Sequence, residues 1–299
     1  MSGDGGVKFV KRISVILSGV VLTFLLSGCT ERYVLLNPAG PVARIEYQNM
    51  LLTMFLSSLV VIPVLGIMAF VIYRYRDDPG NPAPYRPNWT DSKVLEVIWW
   101  SIPILIVSVL GYFTIRDTFA LPNPPSKQKP ITIQVVSLDW KWLFIYPEEK
   151  IATVNYVEIP EKVPVQFVLT SDAPMNSFWV PQLGGQMYTM PGMEMYIWLQ
   201  ADKPGVYEGK GANFTGKGFA HMTFKVVAKS HSEYQTWIQK VKTSAPPFTQ
   251  EKYNQLAKPS IVKPQFYSSI PSTLYQDIVD KNGGIYWKQK HQHHSVSHP

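Results

Sequence analysis

Cys29 is the only cysteine in the 299-residue chain, which limits the chemistry open to the protein. A single thiol cannot form an internal disulfide, a Cys-x-x-Cys redox pair or a four-sulfur zinc site. A basic segment that includes Arg12, an apolar run over 13–26 and the small residues Ser27 and Gly28 come directly before the cysteine. That order is typical of a secretory signal that ends at a cleavage site.

The end of this signal resembles a bacterial lipobox, in which the cysteine is diacylated and becomes the new N-terminus. We therefore predict that residues 1–28 are removed and that Cys29 carries lipid. A first transmembrane helix with an incidental cysteine is the alternative, but the apolar run is short for one. The basic residues of the remaining chain are spread over loops and the tail. They do not form the clustered basic and aromatic stripe that nucleic-acid binding requires.

Glu96 is the residue for which an acid–base role can be argued. It lies directly before an apolar segment that begins at Val97. An acid in the first turn of a helix is favoured by the helix dipole by roughly 0.3–1 kcal/mol, and this structural role alone would explain it. Acids in membrane helices are, however, often functional. From the residues alone, both interpretations stay open.

Soft and imidazole ligands occur in two further groups. The first comprises Met187, Met190, Met193, Met195 and Met222. Methionine sulfur can bind copper(I), but methionine more often fills gaps in a core, and we interpret this group as packing residues. The second comprises His291, His293, His294 and His298. These lie in a polar tail that we expect to be disordered and without a specific metal, while His221 and His231 are predicted at the surface.

Two apolar stretches are long enough to anchor the chain in a membrane. The first covers 51–75 and has no charged residue before Arg74, and the second covers 97–115 and has none. About 20 such residues span a hydrocarbon core of roughly 30 Å as a helix. A mean hydropathy of −0.02 for the whole chain excludes a transporter with many spans. The sequence therefore predicts a small membrane anchor that carries a large polar domain.

The loop between the two spans indicates their orientation. It carries Arg74, Arg76, Arg86 and Lys93. An excess of Lys and Arg marks short cytoplasmic loops, so both chain ends are predicted outside the cytoplasm, in agreement with lipid on Cys29. Aromatic residues at the inner ends of the spans suit the headgroup level. They are Tyr73, Tyr75, Trp99 and Trp100.

After a proline-rich linker, the pattern changes to short strands. The predicted strands cover 131–136, 140–146, 163–169, 193–199 and 221–227. Short strands with turn residues between them predict an antiparallel sandwich or barrel.

Helices are predicted to follow the strands. Ser230 and Glu233 have the spacing of a capping box, before a helical apolar pattern. Two shorter helices are predicted over 249–257 and 272–281.

These features together resemble subunit II of the haem-copper oxidases. The Asp139-Trp-Lys-Trp142 segment is similar to the family's aromatic segment, and the 19 residues from Met175 to Met193 match a family signature. The resemblance covers nearly the whole mature chain. It implies a membrane-anchored all-β protein: a two-helix transmembrane hairpin, then a cupredoxin-like β-sandwich and a short α-helical C-terminal extension.

The resulting domain plan has seven parts. They are a lipoprotein signal peptide over 1–28, an outer N-terminal segment over 29–49, a transmembrane hairpin with a cytoplasmic loop over 50–116, a linker over 117–130, a cupredoxin-like domain over 131–228, a helical extension over 229–287 and a disordered His-rich tail over 288–299. The expected location is the bacterial cell membrane, multi-pass and lipid-anchored, with the C-terminal domain on the outer face.

The family has two branches, which differ in a copper centre. In the branch fed by cytochrome c, subunit II holds the binuclear centre CuA with a histidine and a Cys-x-Glu-x-Cys-x3-His-x2-Met loop, a set of soft ligands that copper needs. The corresponding positions of this chain are occupied by Asn176, Gly211, Asn213, Thr215, Phe219 and Met222. Only the methionine remains, and no histidine lies between Cys29 and His221. We therefore expect no metal in this chain and interpret Trp140 and Trp142 as packing or interface residues.

A subunit II without copper resembles the quinol oxidase branch. The resemblance implies that haems and copper lie in subunit I, where quinol also binds, and that small membrane subunits III and IV accompany it. It further implies that Glu96 lies at the entrance of the proton channel that reaches the oxygen site from the cytoplasm. The chain alone would catalyse nothing, and its partners would be these subunits and membrane lipid.

A second hypothesis is a non-enzymatic membrane lipoprotein whose copper-less cupredoxin domain binds a partner or assists assembly. A lipoprotein that is only anchored in the membrane, without a membrane partner, needs no more than lipid or one helix. The second span, with Glu96 and the Trp99-Trp100-Ser-Ile-Pro103 segment, favours the oxidase subunit, because it is suited to packing against another membrane protein.

Overall fold

The computed structural model describes residues 33–84, 88 and 90–284. The chain divides into two compact units, residues 1–37 and 38–299. The described part of the first unit forms a short 3-10 helix, Val34–Leu36. The predicted signal peptide, Cys29 and the His-rich tail lie outside the described residues.

Two long helices form the hairpin. Helix α1 covers Pro41–Arg74 and begins with proline in its first turn, where the missing N–H is not needed. Helix α2 covers Lys93–Ala120. Both are long and apolar enough to cross a membrane, and both continue through an internal proline, Pro63 or Pro103. Helix α1 begins inside the predicted outer segment 29–49, because its first turns pack on the sandwich and not on lipid.

The sandwich consists of eleven strands in two sheets within the described residues. They are β1 (Ile131–Leu138), β2 (Lys141–Tyr146), β3 (Ile151–Val154), β4 (Tyr156–Pro160), β5 (Val165–Ser171), β6 (Asn176–Trp179), β7 (Gln186–Thr189), β8 (Met195–Leu199), β9 (Gly205–Gly211), β10 (Thr223–Lys229) and β11 (Gln265–Tyr267). One sheet has the order β11-β3-β2-β1-β5-β8 and the other β4-β10-β9-β6-β7. The predicted all-β domain is confirmed, with six further strands that the apolar pattern did not reveal.

The predicted antiparallel sandwich also contains two parallel strand pairs. Strand β1 pairs in parallel with β5, from Ile131 opposite Val165, and β10 pairs in parallel with β4. Parallel neighbours arise because β4 and β10 belong to the sheet opposite β1 and β5, so the chain crosses between sheets before it returns. The alternation of apolar and polar residues along one strand does not show which strand pairs with it.

Each face of the larger sheet buries a separate apolar core. Between the sheets, the rings of Trp142, Phe178 and Phe224 meet at centroid distances of 5.0–5.6 Å. The other face is covered by residues of the C-terminal extension such as Tyr253 and Ile278. Strand β2 is therefore buried along its whole length, which explains its continuous apolar run.

The extension contains three helices: α3 (His231–Ser244), α4 (Gln250–Leu256) and α5 (Leu274–Val279). The predicted capping box is confirmed: the Ser230 side chain accepts from the Glu233 amide, and the Glu233 side chain accepts from the Ser230 amide. The nearly buried carboxylate of Asp172, at the end of β5, accepts hydrogen bonds from Tyr253, Lys281 and Asn282. This contact ties α4 and the C-terminal end of the extension to the sandwich.

Candidate functional site

The six positions expected to replace copper ligands lie on two strand ends and the loop between β9 and β10. Asn176 begins β6, Gly211 ends β9 and Met222 directly precedes β10. The Gly211 amide donates to the Met222 carbonyl over 3.0 Å, which closes the base of the loop. Asn213, Thr215 and Phe219 lie on the loop itself.

Asn176 and Met222 meet at the centre of this group. The Asn176 side chain donates from Nδ2 to the Met222 sulfur over 2.8 Å, and its Oδ1 accepts from the amides of Ser177 at 2.7 Å and Asn213 at 3.4 Å. A Cβ at Gly211 would lie 2.9 Å from the same Oδ1, so the close approach requires glycine. The polar atoms are paired with one another, and the donor set is an amide and a thioether. It does not fit CuA, which needs thiolates and imidazoles.

Trp140 covers the outside of the loop. Its Nε1 donates to the Thr215 carbonyl over 2.9 Å, and its ring lies against Gly216 and Gly218. The backbone of Trp140 has φ 65°, a left-handed conformation that a bulky residue rarely adopts. Trp142 is fully buried in the core. Both tryptophans therefore pack within the domain.

Lys141, between the two tryptophans, is buried without a carboxylate partner in hydrogen-bond contact. Its Nζ donates to the Lys258 carbonyl over 2.8 Å and to the Ser260 hydroxyl over 2.9 Å. Burial lowers its pKa to about 8, and the nearby Asp139 opposes this shift. The residue ties the 258–260 segment to β2.

Three of the five methionines that we interpret as packing residues belong to the core or contact it. Met187 and Met195 pack against the core, and Met222 is bonded to Asn176. Among the described residues, no group of three or more His, Cys, Asp and Glu side chains could hold a metal ion. His221 and His231 are exposed, as predicted.

Glu96 lies in the first turn of α2, and its amide donates to the Ser92 carbonyl over 2.9 Å. Its side chain is exposed, as are those of Trp99 and Trp100 one turn further along. The N-terminal end of α2 thus presents an acid beside two large aromatic rings that nothing in the described chain covers.

The N-terminal end of α1 is bonded to the sandwich, a contact that the sequence analysis missed. The Ala39 amide donates to the Gln182 carbonyl over 2.7 Å, and the Asp202 amide donates to the Ala39 carbonyl over 2.8 Å. A Cβ at Gly40 would lie 2.2 Å from the Gln200 carbonyl oxygen, so the helix start fits only with glycine there. The Arg44 guanidinium also pairs with the Asp202 carboxylate.

The second half of this contact involves the Gly184-Gly185 pair of the 19-residue signature. Val42 packs against Gly184, and the Glu46 carboxylate lies against Gly185. The glycine pair therefore seats a membrane helix, and its presence in the signature is the signal from which the contact could have been inferred.

A further contact missed by the sequence analysis joins the two helices near the beginning of α1 and the end of α2. The Asn49 amide donates to Asp117 Oδ2 over 2.7 Å, and Arg116 donates to the same carboxylate over 2.7 and 3.1 Å. The Asp117 residue is only 5% exposed. The signal available in the sequence was an acid in the last turn of an apolar helix.

Comparisons with known families agree with these features. Residues 147–230 match the family described as "Cytochrome C oxidase subunit II, periplasmic domain". Residues 242–284 match the "COX Aromatic Rich Motif". The second match covers most of the extension that packs on the larger sheet.

Similar curated proteins cover most of the chain. A quinol oxidase subunit 2 of Bacillus cereus is 45% identical over 251 residues, which are 83% of this chain and 86% of that protein. A cytochrome bo(3) ubiquinol oxidase subunit 2 of Pseudomonas putida is 45% identical over 266 residues, 87% of this chain and 83% of that protein. A ubiquinol oxidase subunit 2 of Acetobacter aceti is 38% identical over 276 residues, 90% of this chain and 89% of that protein.

Proposed function

The chain belongs to the quinol oxidase subunit 2 family, and from this premise we propose how it serves a respiratory complex that passes electrons from quinol to oxygen. It acts as subunit II of that complex and contributes no redox centre of its own. The haems and copper lie in subunit I, which also binds quinol, and subunits III and IV complete the assembly.

The observation that carries this proposal is the contact between Asn176 and Met222. A subunit that receives electrons from a protein in water needs a metal near its outer surface. Here the corresponding loop is closed by a hydrogen bond of 2.8 Å, and glycine and threonine stand at the thiolate positions. Electrons delivered by a lipid-soluble quinol within the membrane make such a relay unnecessary. The six positions, five of them substituted and one still methionine, are thus a former copper site that now serves packing.

The hairpin supplies the contact with subunit I. The apolar side chains of both helices are exposed along their length, and α2 carries Trp99 and Trp100 at its inner end. Lipid or a neighbouring membrane protein must cover such faces. Glu96 beside the two rings is suited to the cytoplasmic mouth of a proton path in subunit I, because an acid at this depth reaches water on one side and a protein neighbour on the other.

Two further assignments complete the proposal. Cys29 is lipidated after removal of residues 1–28, and the sandwich lies on the outer face of the membrane. The arginines of the connecting loop, Arg74 and Arg76, support this orientation.

The experiment is purification of the complex through an affinity tag on this chain. We expect haem in the complex, oxygen uptake driven by quinol, no oxidation of reduced cytochrome c, and no CuA signal in the absorption or EPR spectrum. A stoichiometric CuA signal would overturn the assignment of the former copper site. Purification without haem or oxygen uptake would favour the partner-binding lipoprotein.

A further inference from the structure

We propose that the outer clasp, defined as Asn49, Arg116 and Asp117, is a positioning device that fixes the height of helix α2 in the membrane and therefore the depth of Glu96. The inference rests on the proposed role of Glu96 at the mouth of a proton path. Arg116 and Asp117 lie near the opposite end of α2 from Glu96.

The clasp is a built contact and not a chance pair of surface charges. Asp117 is 5% exposed, whereas the Arg116 side chain is 50% exposed, with its guanidinium 4.8 Å from the centre of the Phe113 ring. Both carboxylate oxygens are bonded: Oδ1 accepts from Arg116 Nε at 2.7 Å, and Oδ2 accepts from Asn49 at 2.7 Å and from Arg116 at 3.1 Å. Removal of Asn49 Nδ2 would leave a buried charge with one partner fewer, which strongly disfavours the present arrangement.

Among the described residues, the groove beside the clasp offers little else that would set the register of the two helices. The neighbouring groove between the helices is lined by short hydroxyl and apolar side chains such as Thr53, Leu110 and Thr114. The Thr53 hydroxyl donates to the Asn49 carbonyl of its own helix. Apolar helix surfaces slide against lipid and one another at low cost, whereas a polar bond between membrane helices selects one position.

Helix α1 supplies the fixed reference for this position. Its start is bonded to the sandwich through Ala39, just before the helix, and through Arg44. The clasp connects α2 to α1 at Asn49, five residues beyond Arg44. The height of α2 is therefore set relative to the sandwich, through α1.

The consequence for Glu96 follows from helix geometry. Glu96 and Asp117 are 21 residues apart in one continuous helix. With a rise of about 1.5 Å per residue, they are separated by about 31 Å, close to the thickness of a hydrocarbon core. When Asp117 is held at the outer headgroup level, Glu96 lies at the inner one. A slip of one residue would rotate Glu96 by about 100° and move it about 1.5 Å.

The test uses the assembled complex in inverted membrane vesicles. A Leu95→Cys reporter, next to Glu96, is labelled from the cytoplasmic side with a membrane-impermeant maleimide, and labelling of this chain is read by mass. Cys29 lies at the opposite face and does not interfere. The reporter is combined with Asn49→Leu, with the exchange Asn49→Asp plus Asp117→Asn, and with the control Ser108→Ala, whose hydroxyl bonds only to Ile104 of the same helix in the described residues.

We expect Asn49→Leu to change the labelling rate at least about threefold, the effect of losing one interhelical hydrogen bond of average strength. Oxygen uptake, measured in chains that retain Leu95, should fall several-fold with haem content and the quinol KM unchanged. The exchange should restore both quantities in part, because it keeps the amide-to-carboxylate bond between the helices, whereas Arg116 then faces an amide in place of a carboxylate. Ser108→Ala should change neither. An unchanged labelling rate in Asn49→Leu, or no recovery in an exchange variant that assembles, would overturn the proposal.

A separate measurement distinguishes this proposal from that of Glu96. If Glu96→Gln turns over at the wild-type rate while Asn49→Leu still alters labelling, the clasp sets the helix height and Glu96 has no proton role. If Glu96→Gln is slow and Asn49→Leu leaves labelling unchanged, Glu96 works without the clasp.

Discussion

Asn176 Nδ2 donates a hydrogen bond to the Met222 sulfur over 2.8 Å, at the point where β6 meets the base of the β9–β10 loop. The pair occupies two of the positions that the family resemblance assigns to copper ligands. A side-chain amide can bond to two backbone amides and a thioether at once, and in this chain it does so with Ser177, Asn213 and Met222. The loop thus keeps its path over the domain without a metal to organise it.

We predict that Asn176→Ala destabilises the sandwich by about 1–3 kcal/mol, because buried partners lose their hydrogen bonds. The midpoint of urea unfolding of the solubilised chain, followed by near-UV circular dichroism, measures this. Asn213→Ala is the matched control on the same loop, since the contact with Asn176 uses its backbone. Its free energy of unfolding should change by less than about 0.5 kcal/mol. Equal losses in the two variants would mean that the amide has no special role.

Glu96→Ala should slow quinol-driven oxygen uptake several-fold, with haem content, assembly and the apparent affinity for quinol nearly unchanged. The reason is that proton uptake and not quinol binding loses a carboxylate. Glu96→Gln keeps the shape of the side chain and separates the charge from packing. Oxygen uptake at the wild-type rate in both variants across the working pH range would identify Glu96 as a helix-end acid only.

Intact-mass analysis of the mature chain should find residues 1–28 absent and Cys29 acylated. Cys29→Ser should remain in the membrane, because two apolar helices hold the chain whether or not lipid is attached. We expect this variant to keep its signal segment. A mature chain with an unmodified Cys29 and residues 1–28 attached would contradict the prediction.

Lys141 predicts a pH dependence of stability on the alkaline side. Its pKa is about 8 in the folded domain and about 10.5 in the unfolded chain, so between these values the unfolded chain binds more protons. The free energy of unfolding should therefore rise with pH over this window, by an amount on the order of 1–3 kcal/mol, relative to Lys141→Met, in which the charge is absent. Parallel pH curves for the two proteins would show that Lys141 is solvated like an exposed lysine.

Local patterns in the sequence determined the hairpin, the β-domain and the helical extension. The stretches 51–75 and 97–115 predicted α1 and α2 because apolar length is a property of consecutive residues. Ser230 and Glu233 predicted the start of α3 for the same reason, since a capping box joins residues three positions apart. The lack of thiolates at the expected copper positions could be read from the sequence alone, because Cys29 is the only cysteine and those positions carry other residues.

Only the tertiary structure decided which distant residues meet. The parallel pairing of β1 with β5, the seating of α1 on Gly184 and Gly185 and the bond between Asn49 and Asp117 join residues far apart in the chain. A side chain in the sequence shows that it can donate or accept a hydrogen bond, but its partner depends on the path of the backbone between them. For that reason the resemblance could assign Asn176 in advance to a ligand position, but its bond to Met222 could not be predicted.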